Sequence, residues 1–308
     1  MKHYSVMLNE AVDGLNLHDD SIVVDATLGY GGHSSVILKC IPNGHLYAFD
    51  EDMDAIDYSE KRLSEISNNF TIIHSNFSNM KEELNKLGIT KVDAILFDLG
   101  LSSPEIDDAS RGFSFMHDAP LDMRMDRTNS FSAYNVINEY TKEQLTEIFY
   151  NYGEERLSKA ISENIVSKRP IKTTMELVSV INEAVGNKYF NLHHPERQIF
   201  QAIRIEVNSE LKVLNVALPD AINLLNKGGR ISVITFHSLE DRIVKQVFKK
   251  YSEVDELVKG LPEIPVSYRP KLKLINKHPI LPSEKELKEN SRSKSAKLRI
   301  GEAINYEE

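Results

Sequence analysis

Three carboxylates end short apolar runs: Asp25 after Ile22-Val23-Val24, Asp50 after His45-Leu46-Tyr47-Ala48-Phe49, and Asp98 after Val92 to Phe97. The first is followed by the turn Ala26-Thr27-Leu28-Gly29-Tyr30-Gly31-Gly32-His33. Glycines let a chain turn sharply and bring bare backbone against a ligand, and the helix after them offers unpaired N–H groups. An acid about 20 residues beyond such a turn can take both hydroxyls of a ribose, the place Asp50 holds. Together these residues predict a site for an adenosine-containing cofactor. The dinucleotide fingerprint is G-x-G-x-x-G, and Gly29-Tyr30-Gly31-Gly32 lacks its third glycine. Asp25 would repel a pyrophosphate but suits a cationic ligand, such as a sulfonium bearing an α-amino group. That favours S-adenosylmethionine over NAD. Phe77, in Ser75-Asn76-Phe77, offers a ring to adenine and would serve equally well as core.

The turn Asp98-Leu99-Gly100-Leu101-Ser102-Ser103-Pro104 leaves its strand beside the expected methyl donor. An exocyclic base amine is a poor nucleophile because its lone pair is conjugated into the ring. A catalyst helps by accepting hydrogen bonds from the amine and holding its nitrogen in line with the methyl carbon. Asp98, or the turn carrying Ser102 and Pro104, is the candidate for that task; Asp98 alternatively binds the cofactor's amino group or caps a turn. His237 follows a later strand and is a candidate to orient the base or relay its proton. Glu240 and Asp241 read equally as caps of the next helix.

Strands and helices must alternate to bring these residues together. Apolar runs at 22–26, 45–50, 70–74 and 92–98 are separated by helical stretches through Ser35–Leu38, Met53–Ile66 and Met80–Leu87. This predicts a parallel sheet covered on both faces, an α/β Rossmann-like methyltransferase core. From about 105 to 200 helical segments dominate: Lys142–Tyr150, Glu154–Ser167 and Thr174–Val185. One long helix is expected from Gln201 to Leu225, stopped by Gly228-Gly229, before Arg230–Phe236 resumes the sheet. Pro270–Lys277 and Ala296–Ile300 could add two last strands. The expected plan is core 1–105, an inserted helical substrate-recognition domain 106–200, and core 201–308 with a basic tail.

The 308 residues carry a net charge of −9, with 41% hydrophobic and 27% charged residues. No apolar run reaches the roughly 18 residues of a membrane span. The N-terminal stretch lacks a secretory signal, so a cytoplasmic protein is expected. The single cysteine, Cys40, is expected to be buried filler. Global charge is a weak guide to nucleic-acid binding because phosphates respond to local patches. Basic residues gather late in the chain, among them Lys294, Lys297 and Arg299. These three are candidate phosphate contacts for RNA. Arg124, in Asp122-Met123-Arg124-Met125-Asp126-Arg127, either grips substrate or belongs to a salt-bridged loop. His193-His194 and Glu196 have poor geometry for one ion, and no metal site is expected.

The blocks Asp25–His33, Phe97–Pro104, Arg111–Phe115, Leu121–Asp126, Tyr152–Glu155, Phe200–Ile205, Thr235–Arg242 and Arg292–Arg299 run in one order along the whole chain. They resemble the bacterial family of small-subunit ribosomal RNA cytosine-N4 methyltransferases, known as MraW or RsmH. The resemblance implies methylation of a cytosine N4 in the decoding region, with small-subunit rRNA or the small ribosomal subunit as partner and a homodimer as a plausible state. It also implies S-adenosylmethionine contacts at Gly31, Gly32, His33, Asp50, Phe77 and Asp98. Glu105 replaces the glutamine usual in that family, which puts its contact with the cofactor in question.

Overall fold

The computed structural model describes residues 5–304, apart from the side chains of Ser103 and Ser267. The first four residues of the N-terminal stretch read above, and the last four of the chain, lie outside it. Seven strands form one sheet: β1 Ile22–Asp25, β2 His45–Asp50, β3 Phe70–His74, β4 Val92–Asp98, β5 Leu225–Thr235, β6 Leu272–Leu274 and β7 Lys297–Ala303. Their order is β3-β2-β1-β4-β5-β7-β6. The first five run parallel, while β7 is antiparallel to both β5 and β6.

Alternation along the strands explains why both faces are covered. Val24, Ile95, Phe97, Ile231 and Val233 join one buried cluster with Met80, Leu84, Leu218, Val244 and Phe248 of helices Met80–Lys86, Glu210–Leu224 and Ser238–Ser252. Val23, Ala94, Leu96 and Ile234 point the other way, onto Ala11, Ile37, Leu38, Ile56 and Leu63 of helices Leu8–Gly14, Gly32–Cys40 and Met53–Ser64. Strands buried on both sides read as continuous apolar runs, which is why these were visible in the sequence.

The chain divides into two compact units, one up to Gly100 and from Leu211 onward, the other Leu101–Glu210. The second unit has its own core, built from helices Ala133–Glu139, Lys142–Asn151, Ser158–Ser167, Thr174–Val185 and Pro195–Asn208. The expected break at 200/201 is corrected to 210/211, because Ala202, Ile203 and Val207 pack into this helical core with Ile199 and Phe200. The expected break at 105/106 moves to 100/101.

Other expectations also change. The long helix from 201 to 225 is two helices, broken at Ser209, whose φ of 52° cannot continue a right-handed helix. The helix expected from Glu154 starts at Ser158, since Glu154 has a φ of 52°. Gly228-Gly229 does not stop a helix; it lies inside β5, where the register with β4 shifts. Cys40 is exposed at the end of its helix, not buried.

Candidate active site

The sheet unit gathers its polar residues at the carboxyl edge, where parallel α/β sheets bind ligands. Asp25 ends β1 fully buried. Ser34 Oγ donates to its Oδ2 at 2.6 Å and the Thr27 N–H to its Oδ1 at 3.2 Å. Burial outweighs those two hydrogen bonds and raises the carboxyl pKa from 3.8 to about 6. Asp25 therefore shapes the glycine turn and its field from within. Asp25, expected to face a cationic ligand, is enclosed at the strand end, from where its charge acts on the glycine turn.

Asp50 ties the two ligand-facing loops together. The Gly29 N–H donates to its Oδ2 at 2.7 Å and the Asp52 N–H to its Oδ1 at 2.9 Å. Each oxygen has a second lone pair, as ribose recognition requires. Ser59 Oγ donates to the Gly29 carbonyl at 2.8 Å and Arg62 Nη1 to that of Tyr30 at 2.9 Å. Gly31, at φ 72°, caps the helix Gly32–Cys40. Gly32 is approached closely by Ser5, whose Oγ would have to rotate away from a Cβ built there. Phe77 starts the short helical turn Phe77–Asn79 and meets Phe97 edge-on at 5.5 Å, at the margin of the core.

Asp98 ends β4, its backbone N–H donating to Thr27 Oγ1 at 2.7 Å. Its Oδ2 lies 3.4 Å from Nδ1 of the buried His33. Its Oδ1 is buried without a hydrogen-bond partner among the described residues. Burial, then the charges of Asp25, Glu240 and Glu286, raise the Asp98 pKa well above the usual carboxylate range. His237 is the cap of helix Ser238–Ser252. Glu240 Oε2 accepts the N–H groups of Phe236 and His237 at 2.8 and 3.2 Å, and its Oε1 lies 3.1 Å from His237 Nε2. Glu240 is thus both a helix cap and the residue that fixes His237.

In the helical unit, Ser102 and Glu105 form a reciprocal capping box with Pro104 in the first turn of Ser103–Asp107. The Ser102 N–H and hydroxyl both donate to Glu105 Oε2 at 2.7 Å. These bonds make Ser102, Pro104 and Glu105 a helix start at the turn that leaves Asp98. Arg124 is held by Asp122 through Nε at 2.6 Å and Nη2 at 2.9 Å, and its Nη1 donates to the Arg127 carbonyl. Arg124 thus belongs to a salt-bridged loop and stays partly exposed.

The basic tail divides. Lys294 is exposed. Arg299 lies in β7 and is buried, with Nε 2.7 Å from Asp241 Oδ1, while Lys297 Nζ lies 3.2 Å from Asp241 Oδ2. Burial alone would raise the Asp241 pKa, but hydrogen bonds from Arg299 and Lys297 hold it below its ordinary value. Arg299, expected to contact phosphate, is held in a buried ion pair that the more exposed Lys297 shares.

Thr27, Ser34, Ser59 and Glu240 were not anticipated as site residues. Only Thr27 and Ser34, small hydroxyl residues that follow Asp25 around the glycine turn, carried a signal.

A Rossmann-like sheet with an antiparallel last pair, and strand-end acids around a glycine turn, define the class I methyltransferase arrangement. The chain belongs to the MraW methylase family, whose model matches residues 1–304. A Lactobacillus delbrueckii subsp. bulgaricus protein called ribosomal RNA small subunit methyltransferase H is 50% identical over 312 residues, covering 98% of this chain and 99% of its own. Among solved structures, an rRNA methylase from Streptococcus thermophilus aligns at 14% identity and a TM-score of 0.44, covering 99% of both chains. A protein assigned as an rRNA methylase from Clostridium thermocellum aligns at 15% identity and 0.47, covering 98% of this chain and 99% of its own. No helix among the described residues is long and apolar enough to cross a membrane.

Proposed function

We propose that the chain transfers a methyl group from S-adenosylmethionine to the exocyclic N4 amine of a cytosine in the decoding region of small-subunit ribosomal RNA. The observation that carries this reading is Asp98, whose Oδ1 is buried without a partner at the carboxyl edge while His33 faces its Oδ2. Gly31, Gly32, Asp50 and Phe77 are suited to hold the cofactor, through the helix N-terminus, a ribose-directed carboxylate and an aromatic edge. When bound, that cofactor supplies an electrophilic methyl group on a positively charged sulfur.

Asp98 Oδ1 accepts one N–H of the cytosine amine, turning its nitrogen lone pair toward the methyl carbon. The new N–C bond forms as the C–S bond breaks, and the amine sheds one proton. A carboxyl whose proton affinity is raised by burial and by Asp25 is suited to take it. His33 keeps Asp98 in one orientation through the step. The target base must be unstacked to reach Asp98, so single-stranded or opened RNA is the substrate form. The reading places the enzyme in the cytoplasm and includes a homodimer as its working state. Offering RNA and DNA of one sequence together tests the substrate class: label in RNA supports the reading, and label in DNA alone overturns it.

A further inference from the structure

The opposite edge of the sheet unit carries a second feature that methyl transfer does not use. Helix Ser238–Ser252 begins at the carboxyl edge with His237 and spans roughly 22 Å at 1.5 Å per residue. An open, shallow cavity lies at its far end, where Lys250, Arg269 and Lys271 share the lining with Glu253, Asp255 and two tyrosines, Tyr251 and Tyr268. The strand register fixes the location. Lys271 precedes β6, whose Lys273 pairs with Glu302, and Glu302 pairs in turn with Arg230 of β5. Those residues lie toward the amino end of β5, away from the Thr235–Lys297 pair beside His237.

The lining comes from separate elements held together by specific bonds. The Lys271 N–H donates to the Tyr251 carbonyl at 2.8 Å, and Arg269 Nε to the Ile264 carbonyl at 3.0 Å. Lys250 and Lys271 are exposed, with Lys271 Nζ donating to Asn223 Oδ1 at 3.2 Å; Tyr268 is exposed as well, while Tyr251 is half-buried against the core. Three cations face two carboxylates there, and Glu253 also lies 3.9 Å from Lys249 Nζ, so the lining is of mixed charge with a net positive balance. A bare phosphate would use the cations and leave Glu253 and Asp255 without a role. A nucleotide matches the whole set: phosphate to the cations, base face to a tyrosine, and exocyclic amine to a carboxylate.

We propose that this cavity binds an unpaired, amine-bearing nucleotide of the RNA substrate, about 20 Å from the reacting base. The proposal rests on the rRNA reading above and adds a second contact to it. It makes the RNA bend around or pass along the sheet unit, so that affinity is set partly at a site remote from the chemistry.

The test uses the full chain and small-subunit rRNA, measuring equilibrium binding and methyl transfer in parallel across a salt series. Lys250→Glu combined with Lys271→Glu should weaken RNA binding tenfold or more. It should also flatten the slope of log affinity against log salt by about 1 to 2, from roughly one lost counterion per phosphate contact. kcat and cofactor binding should stay within twofold, which also shows that the variant is folded. Tyr268→Ala should weaken binding at least fivefold with little change in salt slope. Glu253→Gln should weaken it too; stronger binding would mean that the cavity takes phosphate alone and overturn the nucleotide assignment. Unchanged affinity and slope in the charge-reversed protein would overturn the proposal outright. A parent protein that binds RNA but never methylates it would defeat the functional reading while leaving these binding comparisons decisive.

Discussion

His33 Nδ1 stands 3.4 Å from Asp98 Oδ2, joining the first turn of helix Gly32–Cys40 to the end of β4. The glycine turn and the proposed catalytic carboxylate are therefore one assembly. A ligand held by the turn lies beside Asp98 because the same histidine positions both. Thr27 strengthens that link by accepting the Asp98 N–H.

Asp98→Asn should keep the shape of the site while losing the charge and the proton acceptor. We expect kcat to fall roughly 100- to 10,000-fold, the usual range for lost general-base help. Cofactor affinity should change less than tenfold. Calorimetry of cofactor binding beside single-turnover transfer separates the two effects; loss of binding equal to the loss of rate would make Asp98 a cofactor ligand only.

Asp25 makes the site sensitive to pH. Its pKa is raised from 3.8 to about 6 by burial, which disfavours its ionised form by roughly 3 kcal/mol. The sign follows: this group's contribution to stability is full below about pH 3.8 and is lost as pH rises through about 6. A nearby cationic ligand favours the ionised carboxylate, so cofactor affinity should fall as pH drops from 7 to 5, with proton release on binding. Calorimetry in two buffers of different ionisation enthalpy measures this; Asp25→Asn should flatten the dependence, and a flat profile in the parent protein would contradict it.

The Arg299–Asp241 pair should matter for stability rather than for RNA. Removing one partner of a buried ion pair costs about 3 to 5 kcal/mol. Lys297 remains beside Asp241, so Arg299→Met should cost about 2 to 3 kcal/mol. Lys294→Glu should leave the denaturation midpoint unchanged. Urea unfolding of both variants checks the contrast, and an Arg299→Met protein as stable as the parent would contradict it.

Gly32→Ala should destabilise the protein by about 1 kcal/mol or less, because the serine hydroxyl it meets can change rotamer. The added Cβ would meet Ser5 Oγ at 1.8 Å. Ser5→Gly in the same chain should recover most of that loss. Thermal unfolding of the two single variants and the double variant forms the test; strictly additive losses would place the clash elsewhere.

The first four strands and their terminal acids were legible because doubly covered parallel strands are continuous apolar runs punctuated by polar ends. What escaped was conformation without a composition signal. Ser209 breaks a helix at φ 52° where neither glycine nor proline stands. Arg299 carries a surface residue's charge, yet its register in β7 brings it to Asp241 inside the fold. Ser102 was read as a catalytic candidate and Glu105 as a cofactor contact, while the three-residue spacing that makes them a capping box was present but unread. Asp25 was correctly placed at the strand end, while Ser34, nine residues later, closes it from solvent.

The most direct test of the account is transfer of radiolabelled methyl to small ribosomal subunits from cells lacking this protein, followed by nucleoside analysis of the RNA. The account predicts label in N4-methylcytidine, lost with Asp98→Asn while cofactor binding persists. Intact cofactor binding with no label in any ribosomal RNA nucleoside, or label in a different nucleoside, would contradict it.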